Sequence, residues 1–309
     1  MAAPTNMYIS SSVTGLRESL LDDVSNVSRV DTQFYSKIGA SPEGKPKNYK
    51  HEWLTDVVPA AASNAQTEGD SYSASAITAA TRLYNTLQIQ NRIFSIARSA
   101  KQLKGAGGVS TEAYQTALFM KALAGDTEFA ALRGVRNDSG ARQMRGALNW
   151  CTTNIDKASD ANLNTDGTIT GGADRTLSAE LIRNVTQNIL DNSTGNPDTI
   201  YIPSNLSKRI TDMAGAGNYR QMVEEGKLNT YVNVFATEFN FEFQIKPHKH
   251  MPAKTLFMCD HSTWKKATLF PATKKEWGFD SDGDQYVIEQ EWTLEARAET
   301  CNGRIVNIT

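Results

Sequence analysis

The chain has 309 residues, 39% of them hydrophobic and 21% charged, with a formal net charge of -2. That length supports a substantial core in one large or two modest domains, and near-neutrality with dispersed Lys and Arg excludes the basic surface of a tight nucleic-acid binder. No stretch approaches the roughly 20 apolar residues of a membrane span.

The start, MAAPTNMYISSSVTG, has neither the basic beginning nor the apolar run of a signal peptide. Cys151, Cys259 and Cys301 are far apart and lack metal-ligand spacing, so reduced thiols in a cytosol-like compartment are expected. Residues 1–49 read as an arm. Leu16, Leu20, Leu21, Val24 and Val27 recur at helical spacing with Arg17, Glu18, Asp22 and Asp23 between them. The few large apolar residues around them cannot form a core alone. The densest positive run, Lys45, Lys47, Lys50 and His51, is short and reads as a solvated face or a subunit contact.

From 50 to 81 the chain turns rich in Ala and Ser and is nearly free of large apolar groups after Val58. Trp53, Leu54, Val57 and Val58 stand at one end, and TRLYNTLQIQNRIFSIA from Thr81 alternates like a returning strand. Two extended flanks around a small-residue tip predict a long protruding hairpin, which needs a partner to pack on. After KGAGG, Ser110 is a candidate N-cap and Glu112 complements the dipole of a helix over about 111–132. Tyr114, Leu118, Ala122, Phe129 and Leu132 lie near one face of it, with Gly125-Asp126 as its weak point. At 1.5 Å per residue it would be roughly 33 Å long.

NLNTDGTITGGADR (162–175) is dense in turn residues and marks a boundary around Ala161 to Asp174. Beyond it Ser178 can cap a helix carrying Leu181, Ile182, Val185 and Ile189, TIYIP reads as a buried strand, and NLSKRITDMAG as a short helix stopped at Gly215. YVNVFATEFNFEFQIKP alternates from Phe239 through Phe241 and Phe243 to Ile245, and TLFMC and KATLF are short apolar strands. This is a compact α+β unit inserted into an outer module of about 100–165 plus 271–309. The last segment alternates over Tyr286, Ile288, Trp292, Leu294 and Ala296, with Glu289, Glu291, Glu295, Arg297 and Glu299 between. Asn302-Gly303 then suits a tight hairpin turn. A strand about twice the usual 5 to 6 residues suits a long thin sheet.

Catalytic motifs are weak. His248 and His250 could ligate zinc from one side of a strand, but Lys249, Pro247 and Pro252 favour a solvent loop. In DSDGD (280–284) the glycine comes too early for a calcium loop, and position 12 falls inside a strand, so a turn is expected. KGAGGVST lacks the Gly-Lys-Ser/Thr ending of a phosphate cradle. Adjacent carboxylates such as Glu224-Glu225 diverge on a helix. The expectation is a non-enzyme with no cofactor and no metal.

An arm, a long hairpin, a spine-like helix, an inserted compact domain and a long final strand, in that order, resemble the major capsid proteins of tailed phages with the Hong Kong 97-type fold. DTQF (31–34), HEWLTDVV (51–58), TEGD (67–70), NTLQI (85–89) and YVNVFATEF (231–239) resemble the SU-ten-like major head protein branch, over about residues 15–300. The resemblance implies an α+β chain divided into an N-arm at 1–49, an extended loop at 50–98, a peripheral domain at 99–169 with the spine helix, an axial domain at 170–268, and returning long strands of the peripheral domain at 269–309.

It further implies a wall protein of the virion, built in the bacterial host cytoplasm from pentamers and hexamers of itself in an icosahedral shell. Portal, scaffold or decoration proteins are possible partners, packaged DNA is touched weakly and non-specifically, and no membrane is involved. Trp53, Leu54 and Val57 would anchor the loop base, with Asp56 beside them and Glu68 and Asp70 in polar contacts near the tip; for Trp53 the competing reading is packing in its own subunit. An encapsulin-like nanocompartment shell and a phage tail or tube protein are the alternatives. Residues 1–49 are too few for a scaffolding segment, so a separate scaffold or none is expected, with little or no cleavage of the chain.

Overall fold

The computed structural model describes residues 32–71, 77–102, 111–214, 234–280 and 282–309. The helix expected over 16–27, the Ser110 cap, the glycine-rich 105–108 and the Gly215 stop lie outside these residues. In chain order the elements are α1 (Gln33–Lys37), β1 (Gly39–Ala40), β2 (Lys50–Thr55), β3 (Thr81–Thr86), β4 (Gln88–Ala97), α2 (Arg98–Gln102), α3 (Thr111–Arg133), α4 (Ala147–Trp150), β5 (Ile155–Asp156), β6 (Asn162–Leu163), β7 (Ile169–Thr170), α5 (Ala179–Asn192), β8 (Thr199–Ile202), α6 (Ser207–Ala214), β9 (Val234–Ala236), β10 (Glu242–Pro247), β11 (Thr255–Cys259), β12 (Trp264–Asp280), β13 (Gly283–Ala296) and β14 (Gly303–Val306).

The long alternating segment builds a narrow sheet in the order β1-β12-β13-β4. β12 and β13 pair from Trp264↔Ala296 to Asp280↔Gly283, with the Asp/Gly-rich stretch as the turn between them. KATLF is therefore the beginning of this 17-residue strand and not a separate short one. Period-two alternation sends Tyr286 and Ile288 to one face, where they meet Phe94 of β4 and Phe119, Met120 and Leu123 of α3. Phe94 stacks against both Phe119 (4.9 Å) and Tyr286 (5.3 Å).

At 23 residues α3 passes unbroken through Gly125-Asp126. Both oxygens of the Asp126 carboxylate take the Arg92 guanidinium of β4 at 2.6 Å, which holds the expected weak point against the sheet. The buried face also differs from the purely apolar one expected. Ala122 and Phe129 are exposed, while Leu123, Thr127, Glu128, Ala130, Ala131 and Leu132 are buried. Hydrogen-bonded Thr127 and Glu128 are admitted to the core, and this rotates the stripe.

The second sheet runs β5-β14-β11-β8-β10-β9. All four residues of β8 are buried, and α5 covers the sheet through Ile182, Val185 and Ile189, with Ser178 accepting the Leu181 N–H at its N-terminus (3.4 Å). The alternation expected from Phe239 is broken by a turn with Asn240 at φ 64, so β9 and β10 form a hairpin. Asn302-Gly303 makes no hairpin either, and β14 joins this second sheet beside β11 and β5. Asn302 has extended backbone, φ -117 and ψ 157, and its buried amide accepts from Asp260 N (2.9 Å) and Trp264 Nε1 (3.0 Å). Gly303 is needed for closeness: an added Cβ would stand 2.4 Å from Val185 Cγ1 of α5.

The two sheets and the arm's end meet at Glu128, which is fully buried on α3. One carboxylate oxygen accepts the Phe34 backbone N–H at 2.7 Å, the other the Tyr35 N–H at 2.8 Å. His248, expected in a solvent loop, is instead buried beside it. The His250 N–H donates to His248 Nδ1 (3.1 Å), which leaves the proton on Nε2 to donate to Glu128 at 2.7 Å. Phe34 then enters an aromatic nest of Tyr201, Phe257, His261 and Trp264, with centroids 6.1 to 6.3 Å away. Glu128→Gln puts an amide where three donors converge, so urea unfolding should show a loss of about 3 kcal/mol. Glu112→Gln, whose ion pairs to Lys101 and Lys274 are partly exposed, should lose less than about 1 kcal/mol in the same measurement.

Candidate subunit interface

β2 and β3 pair from Lys50↔Thr86 to Thr55↔Thr81, forming the base of the expected hairpin. Alternation along β2 buries His51 and Trp53 and exposes Glu52 and Leu54. Trp53 is buried within its own subunit. Its Nε1 donates to the Ala296 carbonyl at 2.9 Å and its ring lies 5.6 Å from that of Trp150. This is the packing in its own subunit that stood as the competing reading: a large indole finds both an apolar wall and an acceptor at the end of β13. It remains the anchor of the hairpin base.

His51 was expected on a solvated face or in a subunit contact and Glu295 on the charged face of the strand; both are buried, with His51 Nε2 3.3 Å from Glu295 Oε2. Arg297 Nε donates to the other Glu295 oxygen at 2.8 Å. The hairpin thus covers the charged face of β13 at this end and turns it into interior. Burial pushes the Glu295 carboxyl up, but hydrogen bonding from His51 and Arg297, with the Ser41 hydroxyl beside them, wins and lowers it to about 2.

On the β3 side, Asn85 is fully buried. Its Nδ2 donates to the carbonyls of Arg145 (3.0 Å) and Leu294 (2.8 Å), and its Oδ1 accepts from the N–H of Arg145 (2.8 Å) and Thr86 (3.0 Å). Gln88 Oε1 accepts the neighbouring Met144 N–H (3.3 Å). Asp138 takes the hydroxyls of Thr86 and Tyr84 and lies 3.9 Å from Lys50; the Thr86 hydrogen bond leads in holding its carboxyl below the usual range. Strand pattern alone did not single out His51, Asn85, Asp138 or Glu295. Asn85 and Gln88 were marked only by their place in NTLQI.

Beyond the last strand pair the protection ends. Described residues 56–71 and 77–80 are all exposed, Asp56, Glu68 and Asp70 among them. Leu54 is 67% exposed, Val57 and Val58 85%, and Ile77 98%. The Asp56 and Asp70 carboxylates accept the N–H of the next residue, Val57 and Ser71, at 2.8 Å. Leu54, Asp56 and Val57 thus stand exposed just beyond or at the end of the strand pair, and Glu68 and Asp70 stand exposed further along the chain. A cleft of about 710 Å³ runs beside the base, with Glu43, Glu52, Asp56, Arg82 and Arg297 on its walls. Among the described residues no group of three His, Cys, Asp or Glu converges as metal ligands. The surface offers packing and hydrogen bonding.

The lowered Glu295 carboxyl sets a pH dependence. Its contribution is complete above the unfolded-chain value near 4.5 and is lost as the pH falls through about 2. The stability difference between the parent and Glu295→Gln, from urea midpoints, should hold at up to about 3 kcal/mol above pH 5 and shrink toward zero near pH 2.

Known proteins were compared with this geometry. No curated protein matches the sequence. Among solved structures, the capsid of a native GTA particle superposes with a TM-score of 0.66 at 10% identity over 97% of this chain and 98% of that one. The cyanophage A-1(L) capsid gives 0.67 at 10% identity over 95% and 97%. Mycobacterium phage Bobi gives 0.58 at 10% identity over 95% and 96%. These likenesses place the chain in the Hong Kong 97-type fold of phage capsids. The family model of the SU10 major capsid protein matches residues 3–309, and the chain therefore belongs to that family of tailed-phage major capsid proteins, the self-associating wall subunits of the virion.

Proposed function

We propose that the chain closes into pentamers and hexamers of an icosahedral shell around the genome, each hairpin lying across a neighbouring copy. The observation that carries this reading is the division of the hairpin into a base bound on both sides and a bare apolar-edged extension. Leu54, Val57, Val58 and Ile77 supply the apolar contact, and Asp56, Glu68 and Asp70 the polar ones. Family membership sets aside the nanocompartment and tail-tube alternatives. Repeated head-to-tail contacts of this kind generate closed rings and then a shell.

In this reading the arm is 1–49, the extended loop 50–98, the peripheral domain 99–169 and 269–309, and the axial domain 170–268. Strand β14 passes from the 269–309 stretch into the second sheet, and so fastens the two domains to each other. The wall touches packaged DNA weakly, consistent with a net charge of -2. Portal, scaffold or decoration proteins join it in the host cytoplasm, where the shell assembles, and the chain's role is architectural with no catalytic step.

A Leu54→Asp, Val57→Asp double variant should remain folded, with an unfolding midpoint within about 0.5 kcal/mol of the parent, because neither side chain is buried in the subunit. Negative-stain microscopy at moderate salt should show closed particles for the parent and none for the variant. Shells of normal size from the variant would overturn the role of the hairpin, and uniform tubes from the parent would overturn the shell.

A further inference from the structure

We propose that Lys37 and Lys246 form a site for one phosphate group, in the open pocket between α1 and β10. The pocket, of about 490 Å³, is lined by Gln33, Lys37, Ile245, Lys246 and Pro247. Strand register brings the two cations there. β10 runs beside β8 with Gln244 opposite Thr199 and Lys246 opposite Tyr201, and paired residues project from the same face of a sheet. On that face Tyr201 packs edge-on against Phe34 of α1, with ring centroids 6.2 Å apart. Lys37, in the last turn of α1, reaches over the same face, and its Nζ donates to Thr199 Oγ1 at 3.3 Å. Lys246 is half-buried and Lys37 exposed, so both ammoniums border the pocket rather than the core.

The ligand class follows from the charges. Burial, and after it the Lys37 ammonium at its side, holds the Lys246 amine below the usual lysine range. Asp198 opposes this through space, but its carboxylate pairs with His261 Nδ1, at 3.0 Å, rather than with either lysine. Two like charges held together in a partly desolvated place favour an anion that touches both. Each ammonium carries three N–H donors and no acceptor, so the pair can hold oxygens that point in several directions, as those of a tetrahedral phosphate do. A phosphate monoester carries about -1.5 to -2 charges near pH 7, close to what two lysines offset, whereas a carboxylate brings one charge in one plane. The same chemistry arrives as free phosphate or along a nucleic-acid backbone. A bound phosphate would also tie α1 to the second sheet.

Titration calorimetry of the purified, unassembled chain with inorganic phosphate, at an ionic strength fixed with sodium chloride, tests the site. One phosphate per chain should bind, and Lys37→Met and Lys246→Met should each weaken it at least about tenfold. Lys121→Met, on the exposed side of α3, should leave it unchanged. No saturable heat, unchanged affinity in either pocket variant, or the same loss in Lys121→Met would overturn the proposal. Acetylation of Lys246, followed by peptide mass spectrometry, then identifies the source. It should slow about tenfold when phosphate stands at about ten times its Kd, while acetylation of Lys121 keeps its rate. Protection by an oligonucleotide without terminal phosphates, at the same concentration of phosphate groups, would assign the site to a nucleic-acid backbone. Protection by inorganic phosphate alone would assign it to the free ion, and protection by neither would overturn it. Because neither measurement involves assembly, failure here leaves the shell reading untouched.

Discussion

The fold depends on one buried carboxylate. Glu128 projects from the long helix into a place where the two sheets and the end of the arm converge, and it collects the N–H groups of Phe34 and Tyr35 together with His248. Each of these donors would be stranded without it, and an unpaired carboxylate would be stranded without them. The contact therefore acts on all three elements or on none. It fixes α1 against the helix, which presents Phe34 to its aromatic nest, and it fixes the second sheet through the segment after β10. Hydrophobic burial supplies most of the stability here, but the carboxylate sets how the parts are oriented.

The hairpin is organised by the same logic at a second place. Its base is gripped from β2 by Trp53 and the His51–Glu295 pair, and from β3 by Asn85 and Asp138. Thr293 adds a bond from β13 to the Thr86 carbonyl at 2.9 Å. With both strands held, the direction of the chain at Thr55 and Thr81 is determined before any neighbour arrives in the proposed shell. That lowers the ordering cost of binding, because the orientation of the extension is already fixed and only the extension itself must settle.

Much of this architecture was legible in the sequence, for identifiable reasons. The long alternating segment, the 111–132 helix and the hairpin flanks obey simple periods, and the compact second unit announces itself by its caps and apolar runs. What pattern misread were residues whose solvent exposure is decided by elements far away in the chain. Glu295 and His51 look like surface charges until the hairpin is laid over β13, and His248 looks like loop until Glu128 is brought opposite it. Asn302-Gly303 carries the sequence of a turn, yet there Asn serves its side-chain bonds and Gly the close approach of α5. Trp53 shows the same limit from the other side: its size marked it as an anchor, but its partners, the Ala296 carbonyl and the Trp150 ring, come from far along the chain.

The composition of the extension reconciles two opposing demands on a shell subunit. Before assembly the chain must stay soluble, so a large continuous apolar patch on a protruding arm would be a liability. Among the described residues of the extension the exposed large apolar side chains are instead few, Val57, Val58 and Ile77, set among Ala, Ser, Thr and acidic residues. A single contact of that kind is weak. In the proposed shell every copy in a ring both gives and receives one, and the contacts are made together, so their free energies add while the loss of independent motion is shared. Weak, repeated and pre-oriented contacts also dissociate when misplaced, which lets errors correct before the shell closes. A near-neutral chain with a rigid hairpin base and a sparsely apolar extension is what such a wall requires, and neither strong charge nor catalytic chemistry would improve it.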